Sequence, residues 1–340
     1  MDRYIRIAVA LIILPMLAAC RKEICYDHFP TMDVSFMWER EWERDYGNYH
    51  LDSWDAEYFG DTYDGFRPDV PEWVNMVRYF EDDRPQEHFL SPDGGRLMLS
   101  SGKTTSMLLY NGDTEYIILS DMASQYEARA SATQRSRSSI SYVAERHPGA
   151  RTTNPPDKLF SAYIEHAPQV ANHELKPLPV KMPPLVYTYV ITYEFEYGLQ
   201  HVALARGALG GMAESVYLRD GRTSEESAII LFDCDIADGY CRTQVRSFGV
   251  PGFPDEYYGR AENDPDGRTY TLNLEVMLKN GKMHEFNFDI TDQMARQPRG
   301  GVIKIGGLRI EDDENLSESG FSVDVDDWGD HQDIDLPVGV

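Results

Sequence analysis

Cys20 is the residue whose type and position point most directly to chemistry. It follows Leu17, Ala18 and Ala19 at the end of a leader-like stretch with Arg3, Arg6, an uninterrupted apolar run over 7–14, and Pro15. That is the layout of a secretory signal peptide, and its small-residue cleavage point falls directly before a cysteine. A thiol there can take a diacylglyceryl group before cleavage, and the residue can take a further acyl chain such as palmitate afterwards. The apolar run is too short to span a bilayer, which needs about 20 apolar residues. Each buried acyl methylene contributes roughly 0.8 kcal/mol, so three chains would anchor the protein essentially permanently. The expectation is a leader over residues 1–19 and a mature lipoprotein beginning at Cys20. Arg21 stands where an Asp would favour inner-membrane retention, which favours the outer membrane, on its periplasmic or outer face.

The remaining reactive side chains form weaker patterns. Cys234 and Cys241 flank Asp238-Gly239. A hairpin with a four-residue turn over 236–239 would set them opposite each other, and an exported location permits a disulfide. Two buried free thiols are the alternative. Cys25 is left over, and with His28 it makes half a zinc spacing without a second half. Asp233, Asp235 and Asp238 depart from the calcium-loop spacing, and Asn263-Asp264-Pro265-Asp266-Gly267 reads as a turn. Ser101-Gly102-Lys103-Thr104 has Leu97 where a phosphate-binding loop needs glycine. The histidines are scattered, and none pairs readably with Ser or Cys for nucleophilic catalysis. Neither a catalytic residue, a metal nor a cofactor is therefore expected. A chain this acidic always offers carboxylate pairs, so glycoside hydrolysis gains nothing from them.

The 41–72 segment carries Trp42, Tyr46, Tyr49, Trp54, Tyr58, Phe59, Tyr63 and Phe66 among many Asp and Glu. It holds neither helical nor strand periodicity and reads as a long insertion. Exposed rings such as Trp42, Tyr46, Trp54 and Tyr58 can stack on sugars, and acids can bind sugar hydroxyls. A glycan-binding surface lipoprotein is thus the second functional reading, against a self-packed or partner-covered loop.

The chain that must position these groups has 32 Lys and Arg against 57 Asp and Glu, a formal charge of −25. Loss of Arg3, Arg6 and Asp2 with a leader would make it one unit more negative. Such a surface repels phosphate backbones, which argues against nucleic acid, and anionic headgroups, which leaves anchoring to the lipid. The length suggests two domains, and abundant Tyr, Pro and Gly without long Ala/Leu/Glu/Lys stretches lean towards an all-β chain.

Residues 31–39 alternate as a strand with Val34, Phe36 and Trp38 on one face. Strand character resumes over 73–80, 96–99 and 107–110, and Asn111-Gly112 is expected to turn the chain into a strand over 115–119. Residues 128–157 read as a Ser-, Pro- and Gly-rich linker holding the basic cluster Arg135-Ser136-Arg137. Beyond it, residues 187–197 form a long strand with Tyr187, Tyr189, Ile191, Tyr193, Phe195 and Tyr197 on one face and a polar opposite face. Residues 228–232 form a buried strand. Residues 270–278 run into Lys279-Asn280-Gly281, then Phe286, Phe288 and Ile290. A two-residue loop would put Phe286 and Phe288 on the wrong face. A three-residue loop with left-handed Gly281 pairs Leu274 with Phe286, Leu272 with Phe288 and Tyr270 with Ile290, and all six share a face. A sheet with one apolar face needs a second layer, which suggests a β-sandwich.

Several stretches read together: Glu23-Ile24-Cys25-Tyr26-Asp27-His28, the strand through Trp38, Asp289-Ile290-Thr291-Asp292-Gln293, Gly320-Phe321, Val325-Asp326-Asp327-Trp328 and Asp333-Ile334-Asp335-Leu336. They resemble a Bacteroidales lipoprotein family of unknown function that looks related to the fimbrillin-like proteins. The resemblance implies two tandem β-sandwiches of transthyretin-like Greek-key topology, over 20–150 and 158–340. It also implies a non-enzymatic fimbrial anchor or accessory subunit, joined to fimbrial subunits by strand addition. The terminal stretch with Asp333, Ile334, Asp335 and Leu336 is a candidate donor or edge strand; a plain last strand of its own sandwich is the alternative.

Overall fold

The computed structural model describes residues 31–41, 70–81, 84–98, 104–136, 149–166, 177–237, 239–254 and 267–312, with single positions at 140, 143, 146 and 147. Cys20, Cys25 and His28, the rings Trp42, Tyr46, Trp54 and Tyr58, and the stretch Asp333, Ile334, Asp335 and Leu336 lie outside the described residues. The fold is all-β, as expected. No helix among the described residues is long and apolar enough to cross a membrane.

The first half is built in three layers around a central antiparallel sheet. Its order is β3 (Gln86–Leu90), β2 (Val74–Phe80), β5 (Thr104–Asn111), β9 (Ser161–Ile164). Val74, Met76, Met107 and Leu109 point to one side. There they meet Met32, Val34, Leu97, Val180 and Met182 from β1 (Thr31–Trp38), β4 (Gly95–Met98) and β10 (Leu178–Met182). Val77, Tyr79, Leu108 and Tyr110 point to the other side, onto β6 (Ile117–Ser120), β7 (Arg129–Ala132) and β13 (Ser215–Tyr217). Both phases of β2 and β5 are apolar because both faces are covered. In β1 the expected face is the buried one, and Trp38 packs edge-on against Phe160 at 5.1 Å.

The second half is a two-layer sandwich. One layer runs β17 (Met283–Asp289), β16 (Thr271–Leu278), β12 (Val202–Ala213), β14 (Ser227–Ala237), with β8 (Thr152–Thr153) paired to β14. The other runs β15 (Tyr240–Ser247), β11 (Tyr187–Tyr197), β18 (Gly301–Arg309). The end of β14 pairs with β15 and joins the layers along one side. Tyr189, Ile191, Tyr193 and Phe195 of β11 close over Leu272, Leu274 and Val276 of β16, and the Tyr193 hydroxyl donates to the Asn273 carbonyl at 3.0 Å. The 271–289 hairpin has the expected register: Leu272 faces Phe288, Leu274 faces Phe286, and the Ile290 N–H bonds the Tyr270 carbonyl. Gly281 sits at φ +82°, as the three-residue loop requires.

Five expectations are corrected. Asn111-Gly112 makes no hairpin: β5 pairs with β2 and β9, while β6 lies in another layer beside β7. Asn111 is instead a buried tie, its amide donating to the Lys158 carbonyl and accepting from the Phe160 N–H. Gly112 is needed because a Cβ there would lie 2.2 Å from the Trp73 indole nitrogen.

The described residues of the 128–157 stretch do not form a solvated linker. Ala128, Ala130 and Ala132 alternate into the first-half core, and Thr152 and Thr153 pair with Ile229 and Ile230. The Arg135 guanidinium, expected in solvent, is buried against the Leu231 carbonyl and Asp233. The division at 150–158 does not follow the strands either: β9 and β10 complete first-half sheets, and β13 returns from the second half to pair with β7.

Cys234 and Cys241 are free thiols. Ile236, not Cys234, faces Cys241, and Ala237 faces Tyr240, so the strands pair two residues farther than expected and the cysteines are out of register by two. Finally, the second face of β11 is polar in type but largely covered: Thr188, Val190 and Thr192 are buried, and the Glu41 carboxylate accepts from the Thr188 N–H and hydroxyl.

Candidate functional site

Strand addition needs an unpaired sheet edge that can accept another chain. The sandwich joined at β14 and β15 ends on its opposite side in two such edges, β17 and β18. They are built differently.

The outer edge of β18 is already occupied by side-chain amides. A one-turn helix, α1 (Thr291–Met294), and the turn after it hold Gln293 and Gln297 against the strand. Gln297 Nε2 donates to the Val302 carbonyl at 2.9 Å, and the Val302 N–H donates back to Gln297 Oε1. Gln293 repeats the pattern two residues on, with Nε2 donating to the Lys304 carbonyl at 3.3 Å and Oε1 accepting from the Lys304 N–H at 3.2 Å. Each carboxamide stands in for a peptide unit of a neighbouring strand. The spacing fits, since in a parallel pairing alternate residues point both backbone groups away from the partner. Gly301 makes room: a Cβ there would lie 1.9 Å from Gln297 Oε1.

Among the described residues, β17 pairs on one side only, with β16. Its exposure alternates, with Met283, Glu285, Asn287 and Asp289 outside and His284, Phe286 and Phe288 half-buried. Its layer has four long strands and the facing layer three, so Phe286 and Phe288 overhang the edge. They reach the core obliquely, at 6.0 Å from the Phe195 ring and 6.2 Å from the Tyr193 ring. Fully burying one such side chain contributes about 1.5–3 kcal/mol, so a segment laid along β17 has apolar surface to gain as well as backbone partners. Asp289 closes the strand. Its carboxyl is held below the usual carboxylate range by the Thr291 hydroxyl and N–H.

Sequence reasoning found the rings of β17 but not its status as an edge, because edge position depends on pairings distant in the chain. It missed the glutamine pair altogether. Burial pushes the Cys241 thiol up to about 12, and burial followed by Cys241, Asp233 and Asp235 raises Cys234, so neither is an activated nucleophile. Among the described residues no three His, Cys, Asp or Glu side chains gather as a metal site.

Residues 65–233 match the model of a family described as a domain of unknown function (DUF5119). That span runs from ahead of β2 into β14, across the expected division at 150–158. No curated protein matches the chain. Among solved structures, a candidate adhesin from Bacteroides ovatus is 19% identical, with a TM-score of 0.56 over 86% of this chain and 97% of that one. A second candidate adhesin from Bacteroides ovatus is 10% identical, with a TM-score of 0.47 over 81% and 88%. The fimbrial anchor protein Mfa2 of Porphyromonas gingivalis is 9% identical, with a TM-score of 0.40 over 84% and 94%. The first of these shares the fold of this chain.

Proposed function

We propose that this protein is a lipid-anchored component of the cell envelope that serves as an anchor or accessory subunit of a fimbria-like surface structure. Cys20 would carry the acyl chains at the outer membrane, and the edge of β17 would receive an extended strand from a partner subunit. The observation that carries the reading is the contrast between the clipped β18 and a β17 that pairs on one side with two half-buried rings. The shared fold with a candidate adhesin supports it. The role is one of assembly, not catalysis.

A photo-crosslinking residue at Met283 tests it in the lipidated protein on cells. Met283 is 46% exposed on β17, and Met37, 52% exposed on β1, is the matched control. The expected result is a crosslink to a pilin-like chain from Met283 and none from Met37. Equal capture from both positions, or none from Met283, defeats the proposal. Acyl mass on the amino-terminal cysteine, lost in Cys20→Ser together with membrane retention, is the expected companion result.

A further inference from the structure

A cavity lies three strands away from β17, at the seam of the two halves where Arg135 and the 154–157 run meet β14 and β15. It encloses about 440 Å³, within the roughly 300–1,000 Å³ of small-molecule sites. Its walls come from five parts of the chain: Tyr116 ahead of β6, Arg135, the 154–157 run, Asp233 on β14, and Gln244 and Arg246 on β15.

Most of its polar groups are fixed. Arg135 donates to the Leu231 carbonyl at 3.0 Å and pairs with Asp233 at 3.1 Å. Asp157 accepts from the Glu115 and Tyr116 N–H groups. Asn154 donates to the Thr133 hydroxyl at 3.0 Å. Gln244 and Arg246 differ, since among the described residues neither side chain makes a hydrogen bond or an ion pair. They are two apart on β15 and therefore share a face, which is the face turned away from the Cys241 and Val245 side chains in the core. In a chain with 57 acids and 32 bases, an arginine that pairs with no carboxylate among the described residues is conspicuous.

The lining sets the class of ligand. Its only apolar surfaces are the Tyr116 ring and the two prolines at 155 and 156; no aliphatic or phenylalanine side chain contributes. Such walls offer hydroxyl acceptors at Asp157 and Asp233, an amide at Gln244, and a ring against which a sugar face can rest. A guanidinium without a partner recognises a carboxylate through two parallel hydrogen bonds. We propose that this seam pocket binds a carboxylate-bearing sugar, with Arg246 holding the carboxylate and Gln244 and the fixed acids holding hydroxyls. The site does not depend on the β17 edge, and either proposal can fail without the other.

The test titrates the full mature chain with digalacturonate and with sialyllactose, each against its uncharged counterpart, and with acetate. The expected result is saturable binding of at least one acidic sugar, at least tenfold tighter than its neutral partner and not displaced by acetate. Arg246→Gln should lose that binding tenfold or more with an unchanged melting temperature, and Arg246→Lys should recover part of it. Binding of neither acidic sugar overturns the proposal. So does equal binding by the wild type and Arg246→Gln, or equal competition by a short peptide carboxylate.

Discussion

β17 and β18 border the same core and flank the same open side of one sandwich, yet the chain treats them in opposite ways. Beside β18 it places two glutamines whose amides reproduce a missing strand. On the outer side of β17 it places, among the described residues, no strand, and it leaves Phe286 and Phe288 half-covered. Exposed edges are a liability that folds blunt by charge, bulge or cover. One of the two edges is blunted with four side-chain hydrogen bonds and the other is not, and the proposed function takes the second edge as the one kept for pairing. It also separates the two tasks chemically: β18 is closed by polar groups satisfied internally, and β17 offers backbone groups together with unspent apolar surface.

The largest expected effect comes from opening the closed edge. Gln297→Leu removes both partners of Val302, whose backbone groups are then left against a largely buried residue. Leaving two such groups unpaired costs about 2–4 kcal/mol. Urea unfolding should show that loss as a lower midpoint, and light scattering should show self-association through a second free edge. Gly301→Ala should do the same by a different route, by displacing the Gln297 amide. If Gln297→Leu unfolds at the wild-type midpoint and stays monomeric, the amides are not a substitute strand and the comparison collapses.

Next in size is Phe288→Ala on the open edge. The ring is half-buried and touches Tyr193 at 6.2 Å and Phe286 at 6.5 Å. Truncating a fully buried Phe costs about 3–5 kcal/mol, so a half-buried one should cost about 1–2 kcal/mol. A larger share of its effect should fall on partner capture than on folding. Crosslinking yield at Met283 should drop several-fold in a variant that still unfolds cooperatively. A variant that loses stability but crosslinks as before would make Phe288 a core residue only.

How far the sequence foretold this arrangement depends on the range of the interactions. The 271–289 hairpin was legible because two alternating stretches and one glycine leave a single register that puts six side chains on one face. The all-β class and the ring face of β11 followed from the same period-two pattern. The 128–157 stretch was misread because Ala128, Ala130 and Ala132 are small. Their alternation carries little hydrophobic signal, and the Ser, Pro and Gly around them carry a strong loop signal. The cysteine register was missed by two residues because turn length, not spacing, decides which side chains meet. The glutamine clip has no local signature, since Gln293 and Gln297 become strand mimics only when β18 is brought beside them from farther along the chain. Arg246 was hidden for the same reason: the sequence shows an arginine on a strand, and only the fold shows that no acid among the described residues pairs with it.

The smallest effect belongs to a third edge, β3, on the central sheet of the first half. His88 lies on it, opposite Met76, and its Nε2 is buried without a hydrogen-bond partner among the described residues. Burial, and secondarily the Arg78 charge, lower its pKa from the ordinary value of 6.5. The unfolded chain therefore binds the proton more readily than the folded one between the lowered value and 6.5. The histidine's contribution to stability is whole above pH 6.5 and is lost as pH falls through the folded value. A pH series of urea midpoints should show a shallow decline below pH 6.5 that His88→Gln removes. The unfolding should begin at β3, read as faster amide exchange at Gln86–Leu90 than along β17 at the same pH. Should acid loosen β17 first, the half-buried rings would be the weaker feature of the molecule. The open edge would then owe its exposure to poor packing and not to a partner held in reserve.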